Sequence, residues 1–329
     1  MGPSEEGTFG KRKRMTIPGI MSHISNLLAL RRAFAVVLVG GSALALASCA
    51  NVEIAPHLRP ISKESMMLLG KKGMETAQPM FVRIFKEESE LEVWKQRADG
   101  RFYHFNTYPI CNWSGDLGPK TVQGDKQAPE GFYKVARGQM NPNSQFHLAF
   151  NLGYPNAFDK AHKRSGDFLM VHGKCKSAGC YAMTDALIEE IYALARESFV
   201  GGQEAIHVHA FPFRMTDANM TRHANHKWAG FWKTLKEGHD HFETTRQAPE
   251  VAVCQRNYVV NVKMPANMSR IDPEGPCPRF ERPVVQAFKP NPNEKFADER
   301  ISVQGPKERA LASTPPATWS SRSGLLNTK

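Results

Sequence analysis

Three runs close together between Met80 and Tyr108, MFVRIFK, LEVWKQR and RFYHFNTY, constrain the fold of this chain more than any other feature. Their alternation and their β-branched and aromatic residues suit strands. Asp99-Gly100, between the second and third runs, is a hairpin signal, because these residues tolerate the positive φ a tight turn requires. A chain with this segment builds an antiparallel meander and must then cover it. Thr184 can cap a helix in which Leu187, Ile188, Ile191, Leu194 and Ala195 share one face, which would lie on the sheet. A further strand, AIHVHAFPF, precedes a helical region from about Asp217 to Lys236. The expected class is therefore α+β: a β-rich domain of mixed sheets with packed helices and a C-terminal helical extension. With 41% hydrophobic residues in 329, the chain can form an ordinary core.

The N-terminal part points to export. Arg31 and Arg32 precede the apolar run AFAVVLVGGSALALA, which has the length of a signal-peptide core and is shorter than the ~20 residues of a membrane span. Leu46-Ala47-Ser48-Cys49 resembles a bacterial lipobox, which implies a lipid on Cys49 and attachment to a membrane through that anchor. Ala50 at the next position suggests the outer membrane. Cleavage after Ala47 without lipidation is the other reading. Of the net charge of +11, residues 1–48 carry +4, leaving +7 spread along the rest. No basic run interleaved with aromatics lies outside the presequence, so nucleic acid is not an expected partner, whereas an anionic polymer such as a cell wall fits.

An exported chain meets an oxidising compartment, where disulfides form. With Cys49 lipidated, Cys111, Cys175, Cys180, Cys254 and Cys277 remain, and the odd count leaves one thiol free. If that thiol is Cys180, the other four allow three pairings. Cys175 is expected to bond structurally, with Cys111 as one partner, or else to act as a redox switch with Cys180.

The chemistry concentrates in VHGKCKSAGCYAMTD, from Val171 to Asp185. A cysteine nucleophile needs a base within reach and donors aimed at the developing oxyanion. A short strand from Phe168 to Val171 delivers His172, and the small residues Ala178 and Gly179 free the amides of Gly179 and Cys180. The histidine precedes the cysteine by eight residues, the reverse of the papain order. His172-Gly173, a spacer, and Ser177-Ala178-Gly179-Cys180 resemble the signature of the L,D-transpeptidases with a YkuD-type catalytic domain. The short spacer and the Gly-Cys-Tyr-Ala-Met-Thr ending resemble the YafK-like subgroup.

Other segments agree in order: Ser114-Gly115, Leu117-Gly118-Pro119-Lys120, Pro129-Glu130-Gly131-Phe132-Tyr133, Pro155-Asn156-Ala157-Phe158-Asp159 and Pro212-Phe213-Arg214-Met215-Thr216. The resemblance runs from roughly residue 60 to 262. Together with the export signal, it divides the chain into a signal peptide with lipobox over 1–48, a tether with one small helix over 49–78, a catalytic domain over 79–215 and its extension over 216–262. The proline-rich stretch 263–329, with ten of the 22 prolines, reads as mostly disordered.

The resemblance also implies roles. Cys180 would attack the L-centre carbonyl of diaminopimelate in a peptidoglycan stem peptide, and His172 would move the proton. The Gly173 carbonyl would orient that ring, and the amides of Gly179 and Cys180 would form the oxyanion hole. Substrate-binding candidates are Ser177, Tyr181, Lys120, Asp159, His162 and Arg214. Many members carry histidine two residues before the cysteine and arginine two after it; here Ala178 and Ala182 stand there, so a substrate carboxylate must be bound from elsewhere. No cofactor is implied. His207, His209, His239 and His241 lack a zinc motif and read as packed or exposed histidines.

An amine acceptor would make the chain a wall cross-linking or lipoprotein-attaching transpeptidase of the periplasm, whereas water would make it a hydrolase of the link between peptidoglycan and a wall-linked outer-membrane lipoprotein. A different class of reading is a non-catalytic wall-binding lipoprotein in which Cys175 and Cys180 are merely paired.

Overall fold

The computed structural model describes residues 53–268, 270–284 and 286–289. The expected signal peptide and Cys49 lie outside them. One compact unit begins at Ala55.

The meander forms as expected: β1 (Met80–Phe85), β2 (Glu90–Gln96) and β3 (Phe102–Pro109) pair antiparallel. The turn differs from the expected two-residue form. Residues 97–101 make a longer loop in which Gly100 takes the left-handed conformation, at φ 76°, and the Gly100 amide donates to the Arg97 carbonyl. After β4 (Asn112–Trp113) come β5 (Gly131–Ala136), β6 (Met140–Ser144) and β7 (His147–Asn151), then β8 (Met170–His172), β9 (Tyr181–Ala182) and β10 (Ala205–Phe211). A hairpin of β11 (Val251–Cys254) and β12 (Asn257–Val260) follows.

Two five-stranded sheets result, in the orders β3-β2-β1-β10-β5 and β4-β9-β8-β7-β6. Each has one parallel pair, β1 with β10 and β8 with β9.

Among the described residues five helices pack with the sheets: α1 (Lys63–Lys71), α2 (Ala157–Ala161), α3 (Asp185–Val200), α4 (Asp217–Arg222) and α5 (Ala229–Thr245). The Thr184 hydroxyl caps α3 by accepting from the Leu187 amide, and the apolar face named above is buried. Residues of α3 share one core with Val82 and Ile84 of β1 and with Leu148, Val171 and Tyr181 of the second sheet. The opposite face of the first sheet carries Phe81 and Phe85, which pack in clusters with Phe242 and Trp232 of α5. Both faces of β1 are therefore buried, which is why its whole length is apolar apart from Arg83. That guanidinium is bonded to Glu92 and Glu243. Helix α5 approaches the sheet closely at Gly238, where a Cβ would meet the Phe132 ring at 2.5 Å.

The helical region expected from Asp217 to Lys236 is broken. Turns at His223 and His226 end α4 and let Trp228 pack over Gly118, and α5 then runs on to Thr245. The stretch expected to be a tether is docked from residue 55 onward: Ile61, Leu68, Leu69 and Met74 are buried, and Arg59 pairs with Glu189 at 2.8 Å. The proline-rich stretch is likewise pinned up to Lys289. Cys277 is disulfide-bonded to Cys254, Lys263 pairs with Glu281 as a β-bridge, and the Phe288 ring packs edge-on to Tyr103. Residues 290–329 of the expected disordered tail lie outside the described residues. Among the described residues no helix is long and apolar enough to cross a membrane.

Candidate active site

The parallel pairing of β8 with β9 sets Val171 opposite Tyr181 and His172 opposite Ala182. Cys180 immediately precedes β9, so the thiol loop enters the sheet on the strand next to the one that ends in His172.

The imidazole is fixed from two sides. His172 Nδ1 lies 2.7 Å from the Gly173 carbonyl, to which it donates, so Nε2 carries the free lone pair. The Phe146 ring lies against the imidazole, with centroids 4.6 Å apart and planes at 39°. Gly173 is held in turn by its amide, which donates to the carbonyls of Phe146 and Leu148 at 3.0 and 3.2 Å. No larger residue fits there, because a Cβ would lie 2.6 Å from Asp185 Oδ1 and 2.9 Å from the Phe146 carbonyl. Asp185 also accepts the Lys174 amide at 2.8 Å, so the first residue of α3 ties down the turn after His172.

Cys180 is the free cysteine among the described residues. Cys175 is bonded to Cys111 and Cys254 to Cys277. This removes the Cys175–Cys180 pair on which the non-catalytic reading depended, and the redox switch between them. The Cys180 thiol donates to the Phe168 carbonyl at 3.7 Å. Burial raises its pKa; a backbone hydrogen bond from Met170 and the positive charge of Lys120 pull it back. Burial lowers the pKa of His172, opposed by the Gly173 carbonyl. Both shifts favour a neutral thiol and a neutral imidazole.

The backbone here is strained. Phe168, Lys174 and Cys175 all have positive φ, at 54°, 62° and 45°, and Gly179 sits at 119°. Such conformations cost roughly 1–3 kcal/mol each at non-glycine residues and persist where neighbours over-determine them. The Cys111–Cys175 bond and the Asp185 carboxylate do that for the turn after His172.

Ser177 organises the thiol loop. Its hydroxyl donates to the Cys180 carbonyl at 2.7 Å and accepts the amides of Gly179 and Cys180 at 3.3 and 3.2 Å. Ser114 stands 3.2 Å away and donates to the Lys126 carbonyl at 2.6 Å, which joins the Ser114-Gly115 segment to this loop. The two amides expected to form an oxyanion hole therefore converge on Ser177 Oγ.

The other substrate-binding candidates have structural employment. Tyr181 is fully buried and donates to the Pro129 carbonyl at 2.5 Å, so its hydroxyl offers nothing to a substrate. Asp159 closes the N-terminal box of α2 and is buried against Arg164 at 2.8 Å. His162 is anchored to the Arg256 carbonyl at 2.8 Å and lies on Phe158. Arg214 is ion-paired with Glu90 and Glu92 and lies over the Phe85 ring. Lys120 is buried and paired with Asp125 at 2.5 Å; it reaches Cys180 through its field rather than holding out a free ammonium. His209 is packed edge-on to Phe81 and Phe132, with centroids 4.7 and 4.6 Å away.

Sequence reasoning gave no site role to Phe146, Phe168, Ser114 or Asp185. Phe168 was expected to open the strand that delivers His172, but that strand starts at Met170 and leaves Phe168 in the loop before it; Ser114 was noted only as part of a matching segment.

No family model matches the chain. Curated relatives do. "Putative L,D-transpeptidase YafK" of Escherichia coli K12 is 45% identical over 203 residues, covering 61% of this chain and 79% of that protein, and its counterpart in Escherichia coli O157:H7 matches to the same extent. Among solved structures, the helical cell shape determining protein Pgp2 of Campylobacter jejuni is 19% identical, with a TM-score of 0.34 over 57% of this chain and 65% of that one. Bd1075 of Bdellovibrio bacteriovorus is 17% identical, with a TM-score of 0.30 over 53% and 61%. On its identity to YafK, and on the share of that protein it spans, the chain belongs to the L,D-transpeptidase family, in its YafK-like branch.

Proposed function

We propose that the chain is a periplasmic cysteine acyltransferase acting on peptidoglycan stem peptides. The observation that carries this reading is the arrangement around Cys180: the free thiol among the described residues, an imidazole at the end of the neighbouring strand with Nδ1 fixed by Gly173, and two amides gathered in the thiol loop. Cys180 attacks the carbonyl at the L-centre of diaminopimelate. His172 Nε2 takes the thiol proton and gives it to the departing amine, leaving a thioester. The amides of Gly179 and Cys180 hold Ser177 Oγ at distances long enough to share with an oxyanion, so Ser177 pre-aims them. In this reading Cys49 carries a lipid that tethers the domain to the outer membrane.

The acceptor determines the product. An amine gives a cross-link or an attached lipoprotein, and water gives hydrolysis. Incubating the soluble domain with disaccharide tetrapeptide, with and without an amine acceptor, and separately with lipoprotein-linked muropeptide, tests the proposal. Joined products or released lipoprotein are expected, with loss of both in Cys180→Ala. A wild-type protein that leaves every substrate intact would overturn the reading.

A further inference from the structure

Phe146 and Phe168 are the only aromatics among the large hydrophobic side chains exposed in the described residues, at 41% and 67%, and both stand at the thiol and its base. Each turns its main chain inward and leaves its ring outward. The Phe146 carbonyl accepts the Gly173 amide while its ring covers one side of His172. The Phe168 carbonyl accepts the Cys180 thiol, and its φ of 54° is a left-handed conformation unfavourable for a phenylalanine. The two residues come from separate loops, the β6–β7 turn and the loop before β8, so chain connectivity does not explain their meeting at one site. An exposed apolar ring on a strained backbone beside a reactive group costs stability in the free protein and points to a ligand surface.

We propose that Phe146 and Phe168 form an aromatic clamp that grips the acyl donor on either side of the attacked carbonyl. The surfaces it takes are aliphatic: the methylene chain of the diamino acid and the methyl groups of neighbouring alanines in the stem peptide. Such surfaces pack on aromatic faces without needing a charge, and the cationic side chains expected to bind substrate, Lys120 and Arg214, are already paired. This inference rests on the acyltransferase reading. Phe146 has a second part as a positioning residue, because its ring excludes water from one face of the base.

The test is steady-state and single-turnover kinetics with disaccharide tetrapeptide on Phe168→Ala, Phe146→Ala, Phe168→Tyr and the control Val200→Ala, which removes an equally exposed apolar side chain at the end of α3. Phe168→Ala should raise KM about tenfold, with a much smaller fall in the acylation rate at saturating donor, and Phe168→Tyr should restore KM. Phe146→Ala should raise KM and also shift the acidic limb of the rate profile upward, as the base becomes wetter. Val200→Ala should match wild type. A KM unchanged in both alanine variants, with wild type active, would overturn the clamp alone. A wild type that never acylates would overturn the acyltransferase reading and the clamp with it. Alkylation of Cys180 by iodoacetamide in each variant shows whether the thiol loop is still folded, and a variant that alkylates normally but keeps its KM counts against the clamp.

Discussion

Lys86, immediately after β1, has no exposed surface, and four oxygens surround its ammonium group. They are the carbonyls of Asp116, Gly118 and Ala128 at 2.8, 2.9 and 3.1 Å, and the Glu130 carboxylate at 3.0 Å. Glu130 is equally buried and also accepts the Gly118 amide at 2.7 Å and the Trp232 indole at 2.8 Å. Burial lowers the pKa of Lys86, and Glu130 opposes the shift. Lys86→Met removes the cation and leaves the buried Glu130 carboxylate without its counter-charge and the Ala128 carbonyl without this donor, while the carbonyls of Asp116 and Gly118 keep the Gln127 side-chain amide. Breaking one side of a buried pair costs about 3–5 kcal/mol. For a unit of this size each kcal/mol moves Tm by roughly 2–4 °C, so a fall of about 6–20 °C follows.

The damage should reach the site, because the same carbonyls hold the segment that sets Gln127 against Gly179 and the Pro129 carbonyl on Tyr181. Calorimetry of Lys86→Met beside Lys86→Met/Glu130→Gln checks the argument. The second change removes the stranded charge and keeps a carbonyl acceptor, and should recover about half of the loss. A single variant within about 2 °C of wild type, or a double variant no better than the single, would refute it.

Four further outcomes are expected. Gly173→Ala forces a methyl group onto Asp185 and the Phe146 carbonyl; overpacking should cost about 1–3 kcal/mol by thermal melt, and a displaced Gly173 carbonyl should lower kcat about 100-fold or more. Because burial lowers the His172 pKa below its ordinary 6.5, the base stays neutral in mildly acidic solution, so kcat/KM should hold at pH 6.5 and fall only as pH drops through the lowered value. Because burial raises the Cys180 pKa above its ordinary 9.0, iodoacetamide alkylation should still be rising past pH 9, and a plateau below pH 8 would show a resting thiolate. Cys111→Ser/Cys175→Ser opens a bond between residues 64 apart and should cost about 4 kcal/mol by the chain-entropy argument, read by denaturant unfolding with and without reductant on wild type.

Much of the architecture was legible in local pattern. Alternation located β1 to β3, and a capping threonine with an apolar face located α3. What escaped was set by distant partners. Nothing near Met80 announces that β1 pairs in parallel with β10, more than a hundred residues on. The end of α5 was missed although Trp232, Leu235, His239 and Phe242 keep helical spacing to the last turn.

At the site, residue types alone left Cys175 and Cys180 as rivals, the family resemblance singled out Cys180 and His172, and neither gave the employment of the charges. Lys120 and Arg214 read as available cations because Asp125, Glu90 and Glu92 are brought to them only by the fold. The disulfide pairing was equally non-local. The Cys111 amide donates to the Ala182 carbonyl and the Cys175 amide to that of Met183, so both cysteines hang on the strand end that follows Cys180.

The central claim is that Cys180 carries the acyl group with His172 as its base. Intact-mass spectrometry of the soluble domain, quenched in acid after mixing with disaccharide tetrapeptide, tests it most directly. The account predicts an acyl adduct on Cys180, absent in Cys180→Ala, slowed by orders of magnitude in His172→Ala and released by hydroxylamine as a thioester should be. A donor consumed without any adduct on Cys180, or an adduct that persists in Cys180→Ala, would contradict it.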